Sequence, residues 1–328
     1  MAANNTAADA VVPSIRNQEL EAYLASMNVL RANVAQVVSG LKTGLLVTGP
    51  GGTGKSYTIL DELKRLDADY ALSNSRMTGR ALFETLQRAP KTLHLLEDME
   101  TLLKDKNALG VLRGALWGQG ETDETGRQKR FVTWSTAKKH ERLLFTGGII
   151  LVLNGSVNDS PELGAIATRI GEIRIEPSNE ELAEVMRDYA QAGHTHGSQV
   201  MSREECQEVV EFLIGEAASR GLRLDLRVMR RAFSHYLHGR DGDSGVGWKT
   251  LVETDLAGRP ARVGERLTRK QQKEVYLSLV AELYGRDLST RERIAAWTQT
   301  TGKSRAVFYR HANELGLTGK QVVAVAAE

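Results

Sequence analysis

A chain of 328 residues is long enough to bury a full core and to hold one to three domains. Its 43 Lys/Arg against 41 Asp/Glu leave almost no net field, so a charged partner has to be met by a local patch. The single cysteine, Cys206, excludes a disulfide framework and a Cys-based zinc site and fits a reducing, cytoplasmic compartment, and no apolar run approaches the roughly twenty residues of a membrane span.

Residues 1–10 are small and polar, without the basic and apolar regions of a signal peptide, and read as a disordered tail. Val11 to Ile15 is a short apolar patch of no fixed type. From Asn17 to about Val38, Leu20, Tyr23, Leu24, Met27, Leu30, Val34 and Val37 recur at helical spacing. The apolar run Leu45-Leu46-Val47-Thr48 then ends in Gly49-Pro50-Gly51-Gly52-Thr53-Gly54-Lys55-Ser56, and a helical pattern follows from Tyr57 to Leu66.

That order is strand, glycine-rich loop, helix start, and Gly49, Gly54, Lys55 and Ser56 fit the phosphate-loop pattern G-x-x-x-x-G-K-[ST]. Glycines let successive backbone N–H groups curl around a phosphate, and the helix start adds the positive end of its dipole. The expected ligand is a nucleoside triphosphate with Mg²⁺, cradled by Gly49 through Tyr57. Lys55 would reach the β- and γ-phosphates, and the Ser56 hydroxyl would bind the metal.

Tyr70 to Ser73 reads as a second strand, Met77 to Gln87 as a helix with Thr78 as a candidate cap, and Leu93 to Leu96 as a third, buried strand running into Glu97-Asp98. A helix is expected from about Ala108 to Trp117. Gly118 to Gly148 is polar, and from Arg127 to Arg142 the cations Arg127, Lys129, Arg130, Lys138, Lys139 and Arg142 are opposed only by Glu141, with Phe131 and Trp134 between them. It is either a solvated hairpin or an insertion that contacts nucleic acid, because basic and aromatic residues together suit phosphates and base stacking.

Ile149 to Leu153 is the most strand-like run and ends at Asn154-Gly155. Strands alternating with helices predict a parallel sheet with ligands at the carboxyl ends of its strands, where Thr48, Glu97 and Asn154 all fall. Beyond Ile175 only helices are expected: one opened by the capping box Ser178-x-x-Glu181, then Ser202 to Ser219 and Leu226 to Leu237. Residues 239–264 hold six glycines and a proline and read as a linker.

From Val12 to Leu237 these features, in this order, resemble an AAA+ ATPase. The resemblance implies an α/β domain over 11–176, with helices on both faces of a parallel sheet, and a helical lid over 177–238. It also implies self-association into a ring or helical oligomer around bound ATP. Asn154 matches sensor 1, which helps position the attacking water. Ala165 to Arg169 resembles the segment that carries an arginine finger, so Arg169 would reach a neighbouring subunit's site. Arg227 lies where the lid arginine, sensor 2, is expected, with Arg223, Arg230 and Arg231 as rivals. Ile15 and its patch would line the adenine pocket. The family's paired carboxylates usually run Asp-Glu, whereas here they run Glu97-Asp98, which moves each carboxylate by about one methylene. Both remain candidates for the metal shell and for catalysis, and slow or partner-stimulated hydrolysis follows from the swap.

Residues 266–320 carry eleven Lys/Arg against five Asp/Glu, a net of +6. Leu288 to Trp297 and Ser304 to Leu315 have helical patterns joined by Thr300-Thr301-Gly302-Lys303. The second helix directs Val307, Phe308 and Leu315 inward and leaves Arg305, Tyr309 and Arg310 outward. This resembles a helix-turn-helix DNA-binding unit over 266–328, with Lys303, Ser304, Arg305, Tyr309 and Arg310 as contact candidates. The alternative is a small helical domain that docks on protein. The whole then reads as an AAA+ ATPase in a replication, transposition or phage/plasmid-type DNA transaction. Its rival is a protein-remodelling or adaptor ATPase whose C-terminal helices hold a protein client.

Overall fold

The structure, a computed structural model, describes residues 15–74, 76–99, 102–117, 120–155, 161–240, 245–257, 269–286, 288–301 and 303–317. The expected tail at 1–10, the patch residues 11–14 and the turn residue Gly302 lie outside them. The chain divides into two compact units, Met1–Arg259 and Pro260–Glu328.

The first unit opens with α1 (Ile15–Val38), β1 (Gly44–Thr48), α2 (Lys55–Arg65), β2 (Tyr70–Ser73), α3 (Gly79–Arg88), β3 (Leu93–Glu97) and α4 (Lys106–Leu116). It continues through β4 (Arg130–Ser135), β5 (His140–Phe145), β6 (Ile149–Val152), α5 (Pro161–Ile170), β7 (Glu172–Arg174) and α6 (Asn179–Gln191). Then come β8 (His194–His196), β9 (Gln199–Met201), α7 (Arg203–Ser219), α8 (Leu226–Arg240) and α9 (Trp248–Ala257). The second unit holds α10 (Arg269–Gly285), α11 (Thr290–Thr301) and α12 (Arg305–Glu314).

Five strands form one parallel sheet in the order β2-β3-β6-β1-β7. Its central strands are apolar throughout because both faces are covered, and successive side chains serve opposite faces. Leu45, Val47, Ile150 and Val152 pack with α1, α2 and the helices after β7, in one core. Leu46, Ile149 and Leu151 pack with α3, α4 and α5 in another. The α/β architecture with helices on both faces is therefore as the sequence predicts.

Local signals fix the helix starts. The Thr78 hydroxyl accepts from Ala81 N, and both Ser178 with Glu181 and Ser202 with Glu205 form complete capping boxes. The helices after β7 join the first core through Leu182, Met186, Val209, Leu213, Met229 and Phe233. Two features depart from the sequence reading. The stretch after Ile175 is not helical throughout, because β8 and β9 pair as a short antiparallel hairpin turned at Gly197. The glycine-rich stretch read as a linker contains α9, whose Val252 and Leu256, four residues apart, enter the first core.

Gly118 to Gly148 contains the antiparallel hairpin β4–β5, which packs against α4. Arg130 sits at its base, only 2% exposed. Its guanidinium donates to Ala115 O at 2.8 Å, Thr43 O at 3.3 Å and Gly147 O, and lies over the Phe145 ring at 4.8 Å. It thus ties the last turn of α4 to the chain leading into β1 and β6, a placement favoured by the negative end of the helix dipole.

The second unit has its own small core of Val280, Leu283, Trp297, Phe308 and Ala312. On α12, Phe308 and Ala312 are inward as the four-residue spacing requires. Leu315 is the exception to the inward set: it caps the helix end and is 38% exposed.

Candidate functional site

In the parallel sheet, the chain leaves β1, β3 and β6 at one edge. Glu97 is level with Val152, which is level with Val47, so Gly49, Asp98 and Asn154 emerge side by side. Gly49 N donates to Gly155 O at 3.2 Å and Leu153 N to Val47 O at 2.9 Å, which binds the loop after β6 to the loop after β1.

The loop 49–54 takes backbone shapes that side chains oppose. Gly49 has φ 129° and a Cβ there would stand 2.0 Å from Ile175 O, a backbone atom that cannot yield. Gly52 has φ 74° and a Cβ would stand 1.9 Å from Asp225 Oδ1. Asp225 directly precedes α8, where its carboxylate accepts from Arg227 N at 2.7 Å, and Leu226 N donates to Gly52 O at 2.9 Å. The start of α8 is therefore seated on the glycine loop. From the other side, Tyr23 of α1 donates its hydroxyl proton to Thr53 O at 3.1 Å.

Lys55 begins α2 and is buried. Its Nζ donates to Gly49 O at 2.7 Å and Pro50 O at 2.6 Å. Burial, with Arg227 and Arg223 adding repulsion, lowers its pKa to about 8, against the pull of Asp98 and Glu97. These four charges thus surround one ammonium. A Cβ on Gly51 would lie 3.4 Å from Arg227 Nη1 and 3.6 Å from Asn154 Oδ1, which puts the residues after β6 and on α8 over the same loop.

The carboxylates differ in setting. Glu97 ends β3 with Oε1 buried and without a hydrogen-bond partner among the described residues. Asp98 is exposed, has φ 53°, and accepts from Asn154 Nδ2. Ser56 is half-buried in the first turn of α2, and Tyr57 points outward, 72% exposed. Ile15 is the first residue of α1.

A pocket of about 250 Å³ adjoins the loop, walled by Tyr23 and Met27 of α1, Arg174 and Ile175 at the end of β7, and Pro177 and Glu181. Sequence reasoning did not single out Tyr23, Asp225 or this pocket. In the sequence Tyr23 is one more apolar position at helical spacing, and no local pattern marks Asp225.

Arg169 lies elsewhere. It is in the last turn of α5, which leads into β7 at the edge where β1 begins, roughly 13 Å of strand away from the glycine loop. It stacks on Trp117 at 4.5 Å, beside Lys42, in the wall of a cavity of about 460 Å³. Its own chain's loop is out of its reach.

The hairpin candidates divide. Arg130 is buried on backbone carbonyls, which takes it out of reach of nucleic acid and removes it from the DNA-contacting set. Arg127 donates to Val38 O at 2.5 Å and packs on Gly40, and Lys129 is half-buried. In the second unit, Lys303, Ser304, Arg305 and Arg310 are exposed and Tyr309 is half-buried under Arg305, at 5.3 Å.

A parallel sheet ordered 2-3-6-1-7, with a glycine loop after its β1 and a buried lysine opening the next helix, defines an α/β fold of the P-loop type. No protein-family model matches the chain, and neither does any curated protein. Among solved structures it is similar to Trip13 from Rhizobiales, at 13% identity and TM-score 0.38 over 76% of this chain and 94% of that one. It is also similar to Cdc6p from Pyrobaculum aerophilum, at 14% identity and TM-score 0.36 over 95% of this chain and 88% of that one. At these scores the likenesses decide nothing, and the fold stands on strand order and loop geometry. Among the described residues no helix is long and apolar enough to cross a membrane.

Proposed function

We propose that the first unit is an AAA+ ATPase that binds ATP and Mg²⁺ at the edge where β1, β3 and β6 end, and hydrolyses it between copies of the chain. The observation that carries this reading is the convergence on one glycine loop of Lys55, Glu97, Asp98, Asn154 and Arg227, from four separate stretches of sequence. The backbone N–H groups of 51–56 and the α2 dipole bind the phosphates, and Lys55 gives up its carbonyl partners for them. The pocket beside Tyr23 and Ile175 takes the base.

The residues present fit a magnesium ion. Glu97 Oε1 is a buried acceptor in want of a partner, and Ser56 stands at the head of α2. Mg²⁺ takes its remaining ligands from phosphate and water, so one or two protein oxygens suffice. When bound, the ion neutralises charge that develops on the transferring phosphoryl group. Asp98, whose backbone N–H bonds Val152 O of β6 at 3.3 Å and whose carboxylate accepts from Asn154, would polarise the attacking water. Arg227 of α8 covers the phosphates from the lid side, and Arg169 serves a neighbouring copy.

The second unit engages duplex DNA through α11 and α12. The +6 charge of residues 266–320 and the outward Arg305 and Arg310 support this over a protein client.

The test is a mixing experiment. Lys55→Ala and Arg169→Ala proteins are each expected to be inactive in hydrolysis, and their mixture should recover activity, because some interfaces then pair an intact site with an intact arginine. No recovery at any ratio, with mixed oligomers verified, would refute the shared site. Adding duplex DNA to the wild type at fixed salt then reports whether the second unit acts on the first.

A further inference from the structure

Resting on the reading above, in which Arg169 serves a neighbouring copy, we infer that Trp117 is the positioning residue for that arginine. Trp117 is a large apolar side chain left 55% exposed at the end of α4, where its backbone N–H is held on Arg113 O at 3.0 Å. No core packing accounts for it. Its indole face instead carries the Arg169 guanidinium, 4.5 Å from ring centroid to Cζ.

Stacking occupies the face of the guanidinium, and in its plane Nη1 donates to Ala165 O one turn back on α5, so the other N–H groups are the ones left for phosphate oxygens. A solvated arginine has many rotamers, and fixing it when an interface forms costs free energy. The indole limits that cost beforehand. The setting suits a second copy. Lys42 shares the cavity wall with Arg169, and Leu41 beside them is 80% exposed. This edge is thus cationic with apolar surface, whereas the opposite edge presents Glu97, Asp98 and, when loaded, a triphosphate.

Full-length Trp117→Leu and Trp117→Phe proteins test the inference. Trp117→Leu keeps an apolar side chain and loses the π face. It should bind ATP within about twofold of wild type by calorimetry while kcat falls about two- to fivefold, the worth of an exposed cation–π contact. Trp117→Phe should recover most of the loss. Mixed with Lys55→Ala, the Trp117→Leu protein should regain activity at its intact sites, since the arginine beside them then comes with its indole. Mixed with Arg169→Ala it should not. In an Arg169→Ala background, Trp117→Leu should have no further effect.

Unchanged kcat in Trp117→Leu, alongside a crippled Arg169→Ala, would overturn the role of the indole and leave the shared site standing. An additive loss in the double variant, or failure of Trp117→Phe to recover, would assign Trp117 to structure and overturn it as well. An Arg169→Ala protein with wild-type hydrolysis would fell the shared-site reading itself.

Discussion

At Lys55, burial and neighbouring charge work against the ammonium that a phosphate site needs. With a pKa lowered to about 8, the free protein begins to lose this proton in the range where an exposed lysine keeps it. A triphosphate stabilises the charged form, so binding above pH 8 has to take up a proton. Affinity for ATP is therefore expected to fall above pH 8, by at most tenfold per pH unit. Calorimetry in buffers of different ionisation enthalpy should show uptake approaching one proton near pH 9. Lys55→Met should bind weakly at all pH values and show no such uptake. The stability sign follows from the same shift: the unfolded chain binds more protons between about pH 8 and 10.5, so this residue adds to stability as pH rises through that window. Proton uptake of the same size in Lys55→Met would locate the titration elsewhere.

The two carboxylates offer a second prediction at this scale. Asp98 stands at φ 53°, a region that Asn tolerates better than other side-chain-bearing residues, so Asp98→Asn changes charge without straining the turn. It is expected to bind ATP and Mg²⁺ normally, to hydrolyse at least a hundredfold more slowly, and to accumulate ATP-bound oligomers visible by size-exclusion chromatography. Glu97→Gln should instead raise the Mg²⁺ concentration needed for half-maximal activity. If Glu97→Gln traps ATP and Asp98→Asn shifts the metal requirement, the roles are exchanged. The sequence names both acids but not their roles, because the order Glu-Asp leaves either reach open. The turn at Asp98 and its bond from Asn154 are three-dimensional facts.

Among the elements, the hairpin base depends on one buried cation. Arg130 has carbonyl partners in three separate stretches, and burial brings its pKa down to about 10, still charged at neutral pH. Arg130→Met would leave those carbonyls without their donor at about 1–3 kcal/mol for each one left unsatisfied. A total loss of roughly 2–4 kcal/mol is expected, allowing for relaxation and water entry, and denaturant unfolding would measure it. A loss below about 0.5 kcal/mol would mean the carbonyls find other donors.

Arg130 also illustrates what a sequence hides. Beside Arg127, Lys129 and Phe131 it reads as part of a basic, aromatic surface, and only the pairing of β4 with β5 turns it inward. The central strands were legible because both of their faces are apolar, and the helix starts because Thr78, Ser178 and Ser202 announce them. Strands β8 and β9 were not, at three residues each and with His, Thr and Gln among them. The α9 helix was masked by glycines on both sides, although Val252 and Leu256 carried its period.

At the scale of the whole molecule, the glycine loop and the residues at the ends of β3 and β6 were legible because a parallel sheet collects strand ends at one edge. The seating of α8 on Gly52 through Asp225 and Leu226 was not, since no local pattern links residues 52 and 225. The second unit poses the remaining question of partner. On α12, Phe308, His311 and Ala312 are buried while Arg305 and Arg310 are exposed, so the helix has one committed face and one basic face. If that face meets duplex DNA, phosphate neutralisation releases counterions and affinity falls steeply with salt. In the full-length protein, Arg305→Ala and Arg310→Ala should each weaken binding measured by fluorescence anisotropy. An arginine on a base edge would cost about 1–3 kcal/mol against one sequence position, whereas one on phosphate would weaken all sequences alike and lower the salt slope by about one. Arg130→Met, whose side chain is buried, should leave the DNA affinity of the folded protein unchanged. A full-length protein with no salt-dependent affinity for any duplex, folded and competent in ATP binding, would refute DNA as the partner. The basic face of α12 would then be assigned to an acidic protein surface.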